Sequence, residues 1–260
     1  MGAHNDSDAG SRPGPSDWDA ATYDRIADPV TRSGTAVLDR LPPAGDEGVL
    51  DAGCGSGRVT ERLCERLPRG RIVALDLSAT MLTEARRRLA RFADRVTLVR
   101  ADLARPLPVR PVDAVFSTAT FHWIQDHDAL FAGLAGVLRP GGRLVAQCGG
   151  TGNIGRVQAA ARAAGLADVQ CWLQAELTPL APGEPLETYL RTVCLRRHLE
   201  VLPPDAREPF VREVARCLGA PVIDYVSPEP SRPPGVSPSA QEPLPLSGAH
   251  DPKRPSLPRA

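Results

Sequence analysis

The stretch Val49-Leu50-Asp51-Ala52-Gly53-Cys54-Gly55-Ser56-Gly57-Arg58 decides the fold of this 260-residue chain. An apolar pair ends in a carboxylate, three glycines alternate at positions 53, 55 and 57, and an amphipathic segment over 59–67 follows at once. That pattern is a buried strand turning sharply into a helix. Glycine tolerates positive φ and lets a ligand approach the backbone with no Cβ in the way. The helix N-terminus adds unpaired N–H groups and a positive partial charge. Further on, Arg71-Ile72-Val73-Ala74-Leu75 ends at a second carboxylate, Asp76. A glycine-rich strand-to-helix turn, followed by an acidic residue at the next strand end, is how doubly wound folds hold a nucleoside ribose.

Two readings of the turn are separated by its spacing. A dinucleotide fingerprint, Gly-x-Gly-x-x-Gly, wants its third glycine at position 58, where this chain has Arg58. Any strand–helix–strand unit can also carry a glycine turn for structural reasons alone. With Asp51 ahead of Gly53, Gly55 and Gly57, the turn resembles the first motif of class I S-adenosylmethionine-dependent methyltransferases. The resemblance implies S-adenosyl-L-methionine as cofactor. A cofactor of that kind has no pyrophosphate to seat on the helix, but it has a zwitterionic methionine tail and a sulfonium. Asp51 would orient the amino end, and the glycine backbone would face the tail.

Composition sets modest bounds. The 31 basic and 31 acidic residues balance, so nothing favours nucleic acid or an anionic membrane. Among the basic residues only Lys253 is a lysine, which reads as a coding bias. No run approaches the length of a membrane-spanning helix, and the acidic, polar start does not look like a signal peptide. The six cysteines are scattered without a Cys-x-x-Cys pair, so reduced thiols in the cytoplasm are expected and no metal site is. Cys54, inside the turn, reads as a small filler.

Three stretches follow along the chain. Residues 1–16 lack apolar periodicity and are expected to be disordered. Residues 17–226 alternate apolar runs with helical patterns, as a parallel α/β sheet does. Strands are expected at 48–51, 71–76, 96–100, 112–117, 143–148, 168–173 and 221–226, with a turn at 139–143. The stretch 227–260 holds ten prolines in 34 residues and reads as a disordered Pro-rich tail. The last strand must end near Val226, because Pro228 and Pro230 cannot donate to a ladder.

Later segments extend the resemblance over about residues 18–226. Val99-Arg100-Ala101-Asp102-Leu103 closes the third strand with an acid that, in these enzymes, faces the adenine amino group. Pro111-Val112-Asp113-Ala114-Val115-Phe116-Ser117 is the fourth strand, and Phe121-His122-Trp123-Ile124 follows it. Together with Trp18 and Tyr23, these resemble the branch containing the trans-aconitate and juvenile hormone acid methyltransferases. The resemblance implies a doubly wound, mostly parallel seven-stranded sheet with a helical cap insertion at about 177–220. It also implies cofactor contacts at Asp51, Gly53, Gly55, Gly57, Asp76, Leu77, Asp102, Leu103 and Ser117.

Ligands of such sheets sit beyond the carboxyl ends of the strands, so His122 and Trp123, just past strand four, should meet the transferred methyl. His122 is the candidate catalytic residue, as substrate contact, base or structural partner of the backbone. Trp18, Tyr23 and Trp123 are candidate acceptor contacts, and a cap arginine, Arg191, Arg196 or Arg197, could pair with a substrate carboxylate. Arg191 is the first choice among them, although solvated helix faces account for at least two of the three. A carboxylate acceptor is ionised near neutrality and needs no general base, whereas a phenol or an alkyl ammonium would. The reading is a cytoplasmic methyltransferase acting on a small molecule, by O-methylation of a carboxylic acid. Its alternatives are a nicotinamide-dependent oxidoreductase, which Arg58 disfavours, and a catalytically silent cofactor-binding protein.

Overall fold

Strand residues of alternating orientation build two separate cores, one on each face of a central sheet. In the computed structural model, which describes residues 17–41, 44–149, 154–171, 177–218, 222–224 and 248–249, the first five strands are parallel. They are β1 (Gly48–Ala52), β2 (Arg71–Asp76), β3 (Val96–Arg100), β4 (Val112–Thr118) and β5 (Leu138–Gln147). Their order is β3-β2-β1-β4-β5, so the winding direction reverses between β1 and β4. That reversal opens the crevice in which doubly wound sheets bind ligands.

Neighbouring residues point to opposite faces. Leu50, Leu75 and Val115 enter the core under α5 (His127–Val137), with Leu130, Phe131 and Leu134. Val49, Ala74 and Phe116 enter the opposite core. There they meet Leu63 and Cys64 of α3 (Arg58–Arg66), Leu82 and Ala85 of α4 (Ala79–Arg88), and Leu38 of α2 (Asp28–Leu38). Helix starts carry their own caps: Ser78 accepts from Met81 N at 3.1 Å and Asp126 from Ala129 N at 2.9 Å. Ahead of α2 lies the short α1 (Ala20–Ile26). The face under α5 also takes α6 (Ile154–Ala163), through Ala160 and Ala161.

A third, smaller core lies in a helical unit formed by α7 (Glu184–Tyr189), a π turn (Leu190–Cys194), α8 (Arg196–Val201) and α9 (Pro204–Leu218). Leu186, Leu190, Leu199 and Val211 pack together there.

Three strand expectations need correction. Residues 168–171 are not a strand, because Asp168 takes a left-handed φ of 51° just after the Gly165 reversal. The strand is instead β6 (Leu177–Pro179), and 172–173 lie outside the described residues. β6 pairs antiparallel with β7 (Val222–Asp224) as a separate two-stranded ribbon, so among the described residues the main sheet has six strands. Its sixth strand is β8 (Gly248–Ala249), antiparallel to β5 at Arg143 and Leu144, within the stretch read as a disordered tail. The turn expected at 139–143 is an irregularity inside β5, where the β4–β5 register shifts and Gly141 has φ 77°. Residues 1–16 and the rest of 227–260 lie outside the described residues.

Candidate active site

The glycine turn is held against β2 by its own backbone. Gly53 N and Cys54 N both donate to Leu75 O, at 2.8 and 2.9 Å. Gly53, Gly55 and Gly57 have φ of 88°, 54° and 81°, the left-handed region that L side chains avoid. At Gly53 there is a second reason for glycine: a Cβ would sit 2.2 Å from Thr120 Oγ1. At Gly55 a Cβ would meet nothing within 4 Å, so that backbone faces open space.

Two carboxylates flank the turn. Asp76 accepts from Gly55 N at 2.8 Å and from Ser78 N at 2.9 Å, which fixes its orientation at the β2 end. Burial nevertheless pushes its carboxyl above the usual range. Asp51 is buried and accepts the Thr60 hydroxyl at 2.6 Å. Burial raises its pKa to about 7, with the Asp76 charge adding to the rise and the Thr60 hydrogen bond opposing it. The Cys54 thiol is likewise pushed well above its ordinary value by burial, as expected of a filler and not of a nucleophile.

Beyond the strand ends these groups line a cavity of about 960 Å³. Among the expected cofactor residues, Asp51, Gly53, Gly55, Asp76, Leu77, Asp102 and Leu103 line it. Leu77 is half exposed, an apolar side chain on the cavity wall that would otherwise face water. Gly57 does not line it; its place is against α4, where a Cβ would lie 3.3 Å from Ala85. Ser117 is a correction. It is fully buried, donates to Ala52 O at 2.6 Å, and so ties β4 to β1 without lining the cavity.

The opposite wall is aromatic. Trp18 meets Tyr23 edge to face at 5.5 Å and Trp123 at 5.4 Å, and the His122 ring lies 5.0 Å from Trp123. All four line the cavity, closed from the helical unit by Tyr189 and Val193. His122 Nδ1 accepts from Gly149 N at 3.2 Å. Neutral imidazole has one acceptor and one donor nitrogen, so this bond puts the ring proton on Nε2.

Arg191 is a second correction. Its Nε and Nη2 donate to the two oxygens of Glu208 at 2.8 and 2.7 Å, a bidentate pair joining the π turn to α9. It does not line the cavity. Arg196 stacks on Trp18, with Cζ 4.2 Å from the ring, and pairs with Glu200.

Arg58, the residue that breaks the dinucleotide fingerprint, is a clamp. Its Nε donates to Thr31 Oγ1 and its Nη1 to Asp24 O, each at 2.8 Å, and Nη2 pairs with Asp28. Ser56 Oγ donates to Asp24 at 2.7 Å. The strap leading into α1 is tied down as well: Thr80 Oγ1 donates to Trp18 O at 2.6 Å, Thr80 N to Asp17 at 3.1 Å, and Ser78 Oγ to Asp17. Asp24, Thr60, Thr120 and Tyr189 were not singled out from the sequence. Each acts through a partner far along the chain, and no local spacing marks such pairs.

This arrangement fits a cationic, ribose-bearing cofactor. A carboxylate is oriented at the β2 end, the backbone is open at Gly55, and the cavity is lined by more acidic than basic side chains.

Comparison with known proteins agrees. The methyltransferase domain family model matches residues 49–142. Trans-aconitate 2-methyltransferase of Methylobacterium nodulans is 44% identical over 131 residues, 50% of this chain and 49% of that protein. Its counterpart in Methylobacterium radiotolerans is 30% identical over 235 residues, 78% of this chain and 89% of the relative. The chain belongs to the trans-aconitate 2-methyltransferase branch of the class I S-adenosylmethionine-dependent methyltransferases.

In most of the curated relatives it matches first, this methyltransferase chain spans about half their length. Phosphoethanolamine N-methyltransferase 2 of Haemonchus contortus, solved in complex with S-adenosyl-L-methionine, superposes with a TM-score of 0.53 at 20% identity. The superposition covers 79% of this chain and 54% of that one, and shows the shared fold. S-adenosylmethionine is the cofactor of the family, and the residues above suit it. Among the described residues no helix is long and apolar enough to cross a membrane.

Proposed function

We propose that this methyltransferase transfers a methyl group from S-adenosylmethionine to the carboxylate of a small organic acid. The supporting observation is His122, fixed by Gly149 N as an Nε2–H donor on the aromatic wall beside Trp123. A fixed donor suits an acceptor oxygen that is already an anion and needs no proton removed. The names of the relatives, trans-aconitate 2-methyltransferases, favour the same class of acceptor.

Asp76, with Asp51, Gly53, Gly55, Leu77, Asp102 and Leu103, would hold the cofactor. When bound, the cofactor supplies a methyl on cationic sulfur; a carboxylate oxygen takes it as the carbon–sulfur bond breaks, the electron pair stays on sulfur, and no proton is released. The chain contributes alignment of the acceptor and exclusion of water. Such positioning can supply much of the acceleration of a displacement with an activated donor. The methyltransferase domain would run over 17–226, with the helical unit at about 177–220 as its cap. Its six free thiols suit the cytoplasm.

The experiment is incubation with labelled S-adenosylmethionine and a panel of carboxylic acids, phenols and amines, read by mass spectrometry. Methyl esters are expected. Cofactor binding without product from any acid would overturn the assignment.

A further inference from the structure

Among the described side chains, the arginines Arg191 and Arg196 of the helical unit stand behind Trp18 and do not line the main cavity. Among the described residues the main cavity is lined by Asp51, Asp76, Asp102 and Asp126, against a single arginine, Arg58. All three Arg58 nitrogens are already engaged, by Thr31, Asp24 and Asp28. Three further arginines, Arg25, Arg191 and Arg196, line a second cavity of about 500 Å³. Trp18 lines both. One face of its ring carries the Arg196 guanidinium at 4.2 Å, and its edge-to-face contacts with Trp123 and Tyr23 belong to the main cavity's wall.

We propose that Trp18 is the specificity-determining partition of this enzyme, walling Arg191 and Arg196 of the helical unit off from the acceptor. The acceptor is therefore an acid with one carboxylate and an apolar or aromatic body. The inference rests on the methyltransferase reading and names the substrate class of the same site. Its physical basis is desolvation. A charge moved out of water must be paired, and a tricarboxylate would bring three charges into a cavity of net acidic lining. A single carboxylate can be met by the His122 Nε2–H and the bound sulfonium. An aromatic body then covers Trp123, Tyr189 and Val193, where a polyanion would leave apolar surface unmatched and carboxylates unpaired.

The test is calorimetry on the full chain saturated with sinefungin, an unreactive cofactor analogue whose ammonium stands in for the sulfonium charge, titrating cinnamate and trans-aconitate separately. Cinnamate is expected to bind at least ~10-fold more tightly. Equal or tighter binding of trans-aconitate, or no binding of cinnamate, overturns the proposal. Because the readout is binding, it stands apart from turnover: tight cinnamate binding with no methyl ester formed would sink the methyltransferase assignment and keep the acid class.

Trp18→Ala joins the two cavities and should raise trans-aconitate affinity at least ~5-fold while weakening cinnamate; Trp18→Phe, which keeps an aromatic partition, should not. Trans-aconitate affinity unchanged by Trp18→Ala, in a variant with wild-type circular dichroism and S-adenosylhomocysteine affinity, also overturns it.

Discussion

Arg88 donates to both oxygens of Asp24, at 2.8 and 2.7 Å, and its Nε donates to Ser56 O at 3.1 Å. One guanidinium on α4 thus holds the glycine turn and α1 together, although the paired residues lie 64 apart in the chain. Asp24 also takes the Ser56 hydroxyl, so this partly buried carboxylate sits at the junction of three elements.

Loss of that junction should destabilise the protein and loosen the cofactor site together. Asp24→Ala leaves Arg88 partly buried without its partner, a loss of about 2 kcal/mol. A lowered urea midpoint with unchanged slope, accompanied by weaker S-adenosylhomocysteine binding, is the expected result.

Asp76→Ala should weaken cofactor binding at least ~10-fold, or about 1.4 kcal/mol. The carboxylate is pre-oriented by Gly55 N and Ser78 N to accept charge-assisted hydrogen bonds from ribose hydroxyls. Calorimetry with an intact fold checks it, and unchanged affinity would remove Asp76 from the site.

Gly53→Ala should cost about 2 kcal/mol or more, from the left-handed backbone and the collision with Thr120. Adding Thr120→Gly removes the collision and leaves the backbone strain, so the double variant should recover part of the loss. Thermal denaturation of the four proteins in the cycle measures that coupling.

Cofactor affinity should rise with pH toward neutrality. Burial raises the Asp51 pKa to about 7, so the group stays protonated below that pH and ionised above it. In the free protein this raised carboxyl contributes stability that is fully present below its unfolded value, 3.8, and is lost as pH climbs to about 7. A bound cation favours the ionised form, so S-adenosylmethionine should bind up to ~10-fold more weakly per unit of pH below that value. Asp51→Asn should flatten the calorimetric profile.

At saturating cofactor the rate on a carboxylic acid should show no histidine-like rise between about pH 5.5 and 7.5, because an acceptor that is already ionised needs no proton removed. His122→Ala should lower kcat more than cofactor affinity. A rise in that window that vanishes in the variant would make His122 a base and the acceptor something other than a carboxylate.

The nucleotide-binding half was legible in the chain because its signals are local. A buried strand, its carboxylate and the glycine turn occupy one decapeptide, and β1 to β4 fall within a residue of their expected bounds. The cap was legible only as helical. The segment 187–199 has helical apolar spacing at Leu190, Val193 and Cys194, yet a π turn at Leu190–Cys194 interrupts the helix there. That interruption belongs with Arg191 reaching Glu208, a partner 17 residues on that no window of periodicity contains. Over 168–171 the expected strand failed on backbone geometry, since an aspartate at positive φ carries no hydropathy signature. Ser117 stood at the right strand end, but its hydroxyl answered to the neighbouring strand's carbonyl.

The edge-to-face contact of Trp18 with Trp123, at 5.4 Å and 88°, has an optical consequence. Two of the chain's three indoles are close enough for their excited states to couple, and both line the ligand cavity. Occupancy of that cavity is therefore written into the near-ultraviolet circular dichroism and the emission of the unlabelled protein.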